Sequence, residues 1–299
     1  VVKVLTETIT VYLLDYFPSS FFLDFKAMKI TFACCMSCIT LLSDFGVNDA
    51  AVATIKGTLL LYTPQLPIID LCHTIEQKQM QQAAYILRSS YKKFPVKSCH
   101  LILFDVLKEA EPTMVLCHHD EHYFLAPDNG FLPLAFHTDL KKVKKGLELP
   151  RDKNFHYWVH FAANIVKELQ GTGFDNILLP PTELKVAPKR WTVLEQENMV
   201  ETHVLHIDNF ENVVIDFTKE EFEKIGKGRP FRILFMRNEE ITSISQRYND
   251  VKEGHKLARF NSAGYMEIAI NGGKAASLFG LKLFHEQNLI YSTFKIFFQ

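Results

Sequence analysis

Ile39-Thr40-Leu41-Leu42-Ser43-Asp44-Phe45-Gly46-Val47-Asn48-Asp49 is the stretch on which the rest of the chain is organised. A short apolar run of strand length ends in Asp44, a glycine stands two residues on, and a second carboxylate follows at Asp49. From Ala50 to Leu60 the apolar spacing predicts a helix. This is a strand–loop–helix junction, and in an open α/β sheet ligands bind beyond the carboxyl ends of the strands. Asp44 has two readings from these residues alone. It caps the helix, a position Asp favours, or its carboxylate accepts hydrogen bonds from a sugar diol. Capping is the commoner use of such a residue.

The same grammar repeats downstream. Ile68 to His73 reads as a short strand, and Lys78 to Tyr91 as a helix, with Met80, Ala83, Ala84, Leu87 and Tyr91 at helical spacing. His100 to Asp105 is an apolar strand ending in a second carboxylate, and strand ends at one sheet edge converge on one crevice. Val115 to Ala126 predicts a hairpin, Pro127 to Gly130 a turn, and Phe155 to Leu169 a helix stopped by Gly171. A boundary falls between Pro180-Pro181 and Pro188. Beyond it Val200–Ile207, Asn212–Phe217, Phe231–Met236, Tyr265–Ile270 and Leu289–Phe298 are strand-like. Thr218-Lys219-Glu220-Glu221 is a capping box opening a helix expected to stop at Gly226.

The expected architecture is an α/β domain with a central sheet flanked by helices over 39–186, followed by a smaller, mostly β, barrel-like domain over 187–299. Residues 1–38 start with Val and show no period through Ala27, while Met28-Lys29 precedes an apolar run. An over-extended reading frame, a signal peptide and an added segment are the three readings. The expectation is an extension with no role in the site.

The 299 residues suffice for two buried cores. A formal net charge of −1 leaves no basic excess to neutralise phosphates, which argues against nucleic acid as a partner. The charge-free run Ile30–Ser43, 14 residues, is short for a membrane span. Among the six cysteines only Cys34, Cys35 and Cys38 cluster. A single Cys-x-x-Cys without a second pair is weak for zinc, so reduced thiols of a cytoplasmic protein are expected. His118, His119 and His122 surround a predicted turn and are expected to be solvated rather than to hold a metal. His73 is expected to play a structural hydrogen-bonding role. His203 and His206 are placed on opposite strand faces, and Lys141–Lys145 on a solvated surface.

The motifs, in order, are Ser43-Asp44-Phe45-Gly46 with Asp49, Ile69-Asp70-Leu71-Cys72-His73 and Pro127-Asp128-Asn129-Gly130. Phe155-His156, Ile207-Asp208-Asn209-Phe210-Glu211-Asn212 and Asn261 through Ala269 complete the set. Each is weak alone; together the chain resembles the S-adenosylmethionine hydroxide adenosyltransferase family, which includes fluorinases and chlorinases, from Ile39 to about Ile290. The resemblance implies an α/β domain followed by a β-barrel-like one. It also implies a homotrimer with S-adenosylmethionine between one subunit's first domain and a neighbour's second. It would place Asp44 on the ribose hydroxyls, Asp49 and Asp208 on the methionine ammonium and Asn212 at the adenine, with Phe210 also among the substrate-binding residues. The Ser262 segment would close over the ligand.

In the hydrolytic branch water attacks the 5′ carbon and methionine leaves, which requires no cofactor. The resemblance implies that Asp105 and His156 position that water. The chain departs from the family at Asp105 to Pro112, where Pro112 stands at the position of an Arg. Proline supplies neither charge nor a planar fork, and Lys108 supplies only charge. Tyr157 follows His156 where a halide site needs a small hydroxyl residue, and Lys108 stands where it needs Thr. Three functions are thus implied: a hydrolase forming adenosine, a nucleoside-binding protein without activity, and, disfavoured by Tyr157 and Lys108, a halide-dependent transferase.

Overall fold

The computed structural model describes residues 36–106, 112–136, 140–149, 155–186, 192–194, 198–236, 239–283 and 292–299. The first sheet is built from β1 (Ile39–Ser43), β2 (Ile68–Cys72), β3 (Cys99–Leu103), β4 (Thr113–His119), β5 (His122–Pro127) and β6 (Val143–Glu148). Their order is β2-β1-β3-β5-β4-β6. β2, β1, β3 and β5 run parallel, and β4 and β6 add antiparallel pairs at one side. Helices α1 (Ala51–Tyr62), α2 (Met80–Ser90), α3 (Phe131–Phe136) and α4 (Phe155–Thr172) cover it.

β1 and β3 are buried on both faces, which is why they read as apolar runs rather than alternating ones. Ile39, Leu41, Leu101 and Leu103 pack with Ile55, Leu59, Trp158 and Val159 of α1 and α4. Leu42, Ile102 and Phe124 turn the other way, onto Ala83 and Leu87 of α2 and Phe131 and Phe136. The chain goes from β1 to β2 on one side and returns to β3 on the other. The crevice of an α/β sheet opens where connections diverge in this way.

The second sheet contains β7 (Thr192–Leu194), β8 (Met199–Ile207), β9 (Val213–Thr218), β10 (Phe231–Phe235), β11 (Glu239–Ile241), β12 (Lys256–Phe260), β13 (Tyr265–Ile270) and β14 (Thr293–Phe298). Its path is β11-β10-β14-β8-β9-β13-β12, antiparallel throughout, with β7 paired to β8. A bridge from Ile244 to Ala258, with Ser245 N donating to the Ala258 carbonyl at 2.7 Å, brings the two ends together into a nearly closed barrel. Its interior holds Val200, Ile215, Phe217, Phe235, Met266, Ile268 and Phe294. The α/β-plus-barrel architecture is the one expected.

Helix α5 (Lys219–Gly226) carries the predicted capping box: Thr218 Oγ1 accepts from Glu221 N at 3.2 Å, and Glu221 Oε2 accepts from Thr218 N at 2.8 Å. Thr218→Ala removes one partner of this reciprocal pair and is expected to lower stability by about 1 kcal/mol, read as a fall in the urea midpoint. Two glycine stops differ from expectation. α4 runs through Gly171 and ends before Gly173, which takes φ +75°. Gly226 lies inside α5, whose left-handed terminal residue is Lys227. Gly226 is required by contact: a Cβ there would sit 2.7 Å from the Phe298 ring.

The histidine expectation is corrected. His122 is 3% exposed on β5, and its Nδ1 lies 3.2 Å from His100 Nε2, while His100 Nδ1 meets Thr40 Oγ1 at 2.7 Å. Asp120 and Glu121, not the histidines, form the turn, both with positive φ. The basic run also differs: Val143 starts β6, and Lys144 Nζ donates to the carbonyls of Phe174 and Ile177 at 2.9 and 2.7 Å. Leu289 to Tyr291, and residues 1–35 with Cys34 and Cys35, lie outside the described residues.

The two domains meet through α2. Gln82 Nε2 lies 3.0 Å from His206 Nδ1, and Tyr85 packs on His206 and edge-on to Tyr265. Asn261 Nδ2 donates to Tyr85 Oη at 3.0 Å. Helix α6 (Ala275–Phe279) closes one end of the barrel through buried Ala275 and Ala276.

Candidate active site

Asp44 and Asp105 emerge from adjacent parallel strands whose last residues, Ser43 and Leu103, are in register. The amide of Asp105 donates to Asp44 Oδ2 at 3.1 Å. Asp105 is turned to φ +51°, a left-handed conformation that Asp and Asn tolerate better than other side chains. Burial pushes the Asp44 carboxyl up, the amides of Asp105 and of Asp44 itself oppose that, and the charge of Asp105 raises it again. Asn129 Nδ2 holds the Phe104 carbonyl at 3.1 Å and so fixes the end of this strand.

The capping reading of Asp44 is corrected by this geometry. The carboxylate at the start of α1 is that of Asp49, whose Oδ1 accepts from Ala51 N at 2.9 Å. Asp44 is thereby left to face the crevice edge with its neighbour. Gly46, at φ +76°, donates its N–H to the His73 carbonyl at 2.7 Å, and His73 Nδ1 lies 2.7 Å from Ser43 Oγ. His73 is therefore a structural tie behind the loop, as expected.

His156 is exposed in the first turn of α4. Phe155 beside it stacks edge-on against Phe45 with ring centroids 4.9 Å apart. That contact anchors the start of α4 to the loop after β1, on which Asp44 sits. Pro112 is buried, its carbonyl accepting from Leu149 N at 2.9 Å. Lys108 lies outside the described residues.

The second domain carries another group. Asp208 Oδ1 accepts from the amides of Phe210 and Asn212 at 2.9 and 2.8 Å, and Oδ2 accepts from Asn212 Nδ2 at 3.0 Å. This stiff turn leaves Phe210 77% exposed over an open, largely apolar groove of about 1090 Å³. Asn209, Phe210, Asn212, Lys274, Ser277 and Leu278 are among the residues that line it. Ser262 is exposed in the turn between β12 and β13. There Asn261 Oδ1 accepts from Ala263 N and Tyr265 N at 3.0 and 3.1 Å.

The structure thus joins Asp44 to Asp105 and Asp208 to Asn212, and anchors the first turn of α4, which carries His156, to Phe45 next to Asp44. Asp49 and Ser262 stand exposed on their own loops. Sequence reasoning missed the groove residues that follow β13, Gly272 to Leu278. The Gly272-Gly273 pair after β13 was the available signal, since paired glycines break a strand and allow close approach. Among the described residues no group of three or more His, Cys, Asp or Glu is placed to hold a metal ion.

An α/β domain with carboxylates at its switch point, followed by a nearly closed barrel with an apolar groove, defines a two-domain small-ligand protein. Its sequence matches the SAM hydroxide adenosyltransferase N-terminal domain over residues 39–177 and the C-terminal domain of the same family over 202–287. The chain belongs to the SAM hydroxide adenosyltransferase family. It is 26% identical to an (R)-S-adenosyl-L-methionine hydrolase from Thermus thermophilus, covering 81% of this chain and 94% of that one. A protein of the same name from Methanocaldococcus jannaschii is 25% identical, with 85% and 95% covered. A fluorinase from Nocardia brasiliensis is 21% identical, with 82% and 93% covered. The fold matches a conserved protein from Thermotoga maritima with a TM-score of 0.69 at 22% identity, covering 86% of this chain and 99% of that one.

Proposed function

We propose that the chain hydrolyses S-adenosylmethionine to adenosine and L-methionine. The observation that carries this reading is the Asp44–Asp105 pair at the ends of β1 and β3, with the His156 turn pinned beside it. In this reading Asp44 accepts from the ribose hydroxyls, which holds the 5′ carbon near Asp105. Asp105 and His156 orient a water in line with the C5′–S bond. The water oxygen forms the new C5′–O bond while the C5′–S electron pair stays on sulfur. The sulfonium becomes a neutral thioether, so the leaving group requires no acid. The water's proton passes to Asp105 or His156 and then to solvent. S-adenosylmethionine and water are the small molecules this chemistry requires, and no cofactor enters.

Asn212 and Phe210 take the adenine at the groove, and Asp208 and Asp49 face the methionine ammonium. Ser262 closes the turn above the ligand. Asp208 supports this role by holding both the backbone and the side chain of Asn212. The site is completed in a homotrimer, with the first domain of one subunit facing the second domain of the next. The exposure of Phe210 and of Leu278, 68%, at the groove fits a surface covered by another subunit. The protein works in the cytoplasm, in keeping with the free thiols of Cys38, Cys72, Cys99 and Cys117. No helix among the described residues is long and apolar enough to cross a membrane.

Pro112 favours one second reading, a nucleoside-binding protein without turnover. Incubation with S-adenosylmethionine in halide-free buffer, followed by chromatography, separates the two. Adenosine in amounts exceeding the enzyme is the expected result. Adenosine binding with no product would sink hydrolysis, and product formed only with added halide would point to transfer instead.

A further inference from the structure

We propose that Glu211 is a positioning residue that ties the Asp208–Asn212 turn to α6, and hence sets the grip on the nucleoside. The inference rests on the functional reading above. Glu211 sits between Phe210 and Asn212, the two residues assigned to the base. Its backbone is left-handed, φ +63°, a conformation that a non-glycine residue avoids unless its surroundings impose it.

The imposing contacts all lead to Lys274, Ala276 and Ser277 at α6. Glu211 Oε1 accepts from Lys274 Nζ at 2.7 Å. Oε2 accepts from Ser277 N at 3.0 Å and also from the Ser277 hydroxyl. The Glu211 carbonyl accepts from Ala276 N at 2.9 Å. Ala275 and Ala276 are buried in the barrel core, so α6 is the fixed partner. Asp208 stiffens the turn from within, whereas Glu211 ties it to α6. The Glu211 side chain is 23% exposed and that of Lys274 70%, so solvent weakens the ion pair and the Ser277 bonds carry most of the tie. The Lys274 ammonium and the Ser277 donors hold the carboxyl below the usual carboxylate range, which keeps the clamp charged at neutral pH. Losing it frees the turn that carries Phe210 and Asn212 and loosens its hold on the base.

The test measures adenosine binding to the full chain by calorimetry, for the parent, Glu211→Gly and Glu211→Gln. Glycine suits the left-handed backbone, so Glu211→Gly removes the side-chain bonds to Lys274 and Ser277 without adding strain and keeps the carbonyl bond to Ala276 N; its melting temperature checks the fold. Adenosine Kd is expected to rise about tenfold in Glu211→Gly, the worth of one to two net hydrogen bonds. Glu211→Gln keeps an acceptor for Ser277 and is expected to stay within about threefold. KM for S-adenosylmethionine should follow the adenosine Kd, with kcat changed less than about twofold. An adenosine Kd in Glu211→Gly within about twofold of the parent overturns the proposal. A parent chain that binds adenosine but makes no product defeats hydrolysis alone and leaves the clamp measurable. A parent chain that binds no adenosine overturns both.

Discussion

Asp105→Asn is expected to release adenosine at least about a hundredfold more slowly than the parent, the usual contribution of a group that orients and deprotonates a nucleophile. Asparagine is the informative substitution because residue 105 is left-handed, and Asn tolerates that backbone where Ala does not. The amide that donates to Asp44 Oδ2 is backbone and survives the change. Only the carboxylate is lost. Since the charge of Asp105 raises the Asp44 carboxyl, its removal lets Asp44 ionise more readily and leaves the ribose contact in place. Substrate affinity by calorimetry should therefore stay within a few-fold while single-turnover product formation collapses. A variant as fast as the parent would take Asp105 out of the chemistry. Weakened binding with unchanged kcat would make it a substrate-holding residue instead.

The second large effect is on stability against pH. His100 is fully buried against Phe124 and His122, and burial, with the neighbouring imidazole adding to it, pushes it from the ordinary 6.5 down to about 3. Between those values the unfolded chain carries a proton on this ring that the folded chain refuses. The contribution is complete above pH 6.5 and is lost as pH falls toward the folded value. Each pH unit in that window costs about 1.4 kcal/mol. His118, His122, His203 and His206 are lowered by burial too and act in the same direction. The carboxyls of Asp44 and Glu267, raised chiefly by burial, act in the opposite one. His100→Gln isolates the single ring. The loss in urea-derived stability between pH 7 and pH 5 should be about 2 kcal/mol smaller in the variant than in the parent. Equal losses in both would show that His100 is not the group that responds.

The sheet of the first domain was legible because β1 and β3 are buried on both faces and leave continuous apolar runs. Among the strands that escaped notice, with the short β7 and β11, two carry charge: β6, with Lys144 and Lys145, and β12, with Lys256 and Arg259. Both are edge strands, where half the side chains answer to solvent. The site was legible in pieces. Asp44, Asp105 and His156 were named from motifs, yet the bond between Asp44 and Asp105 spans 61 positions and has no local signature. Glu211 was quoted within a motif without a role, because its importance lies in a backbone angle and in partners 63 and 66 residues away. His122 looked like a turn residue since hairpin registers slide by one position, and one position decides whether a ring is wet or buried.

The contact of α2 with the barrel bears on how the two domains are inherited. Tyr85 and Gln82 reach Asn261 and His206 directly, so a docked face holds the barrel against the first domain. A change on one side of that face alters what the other must fit, so Tyr85 and Asn261 should change as a pair.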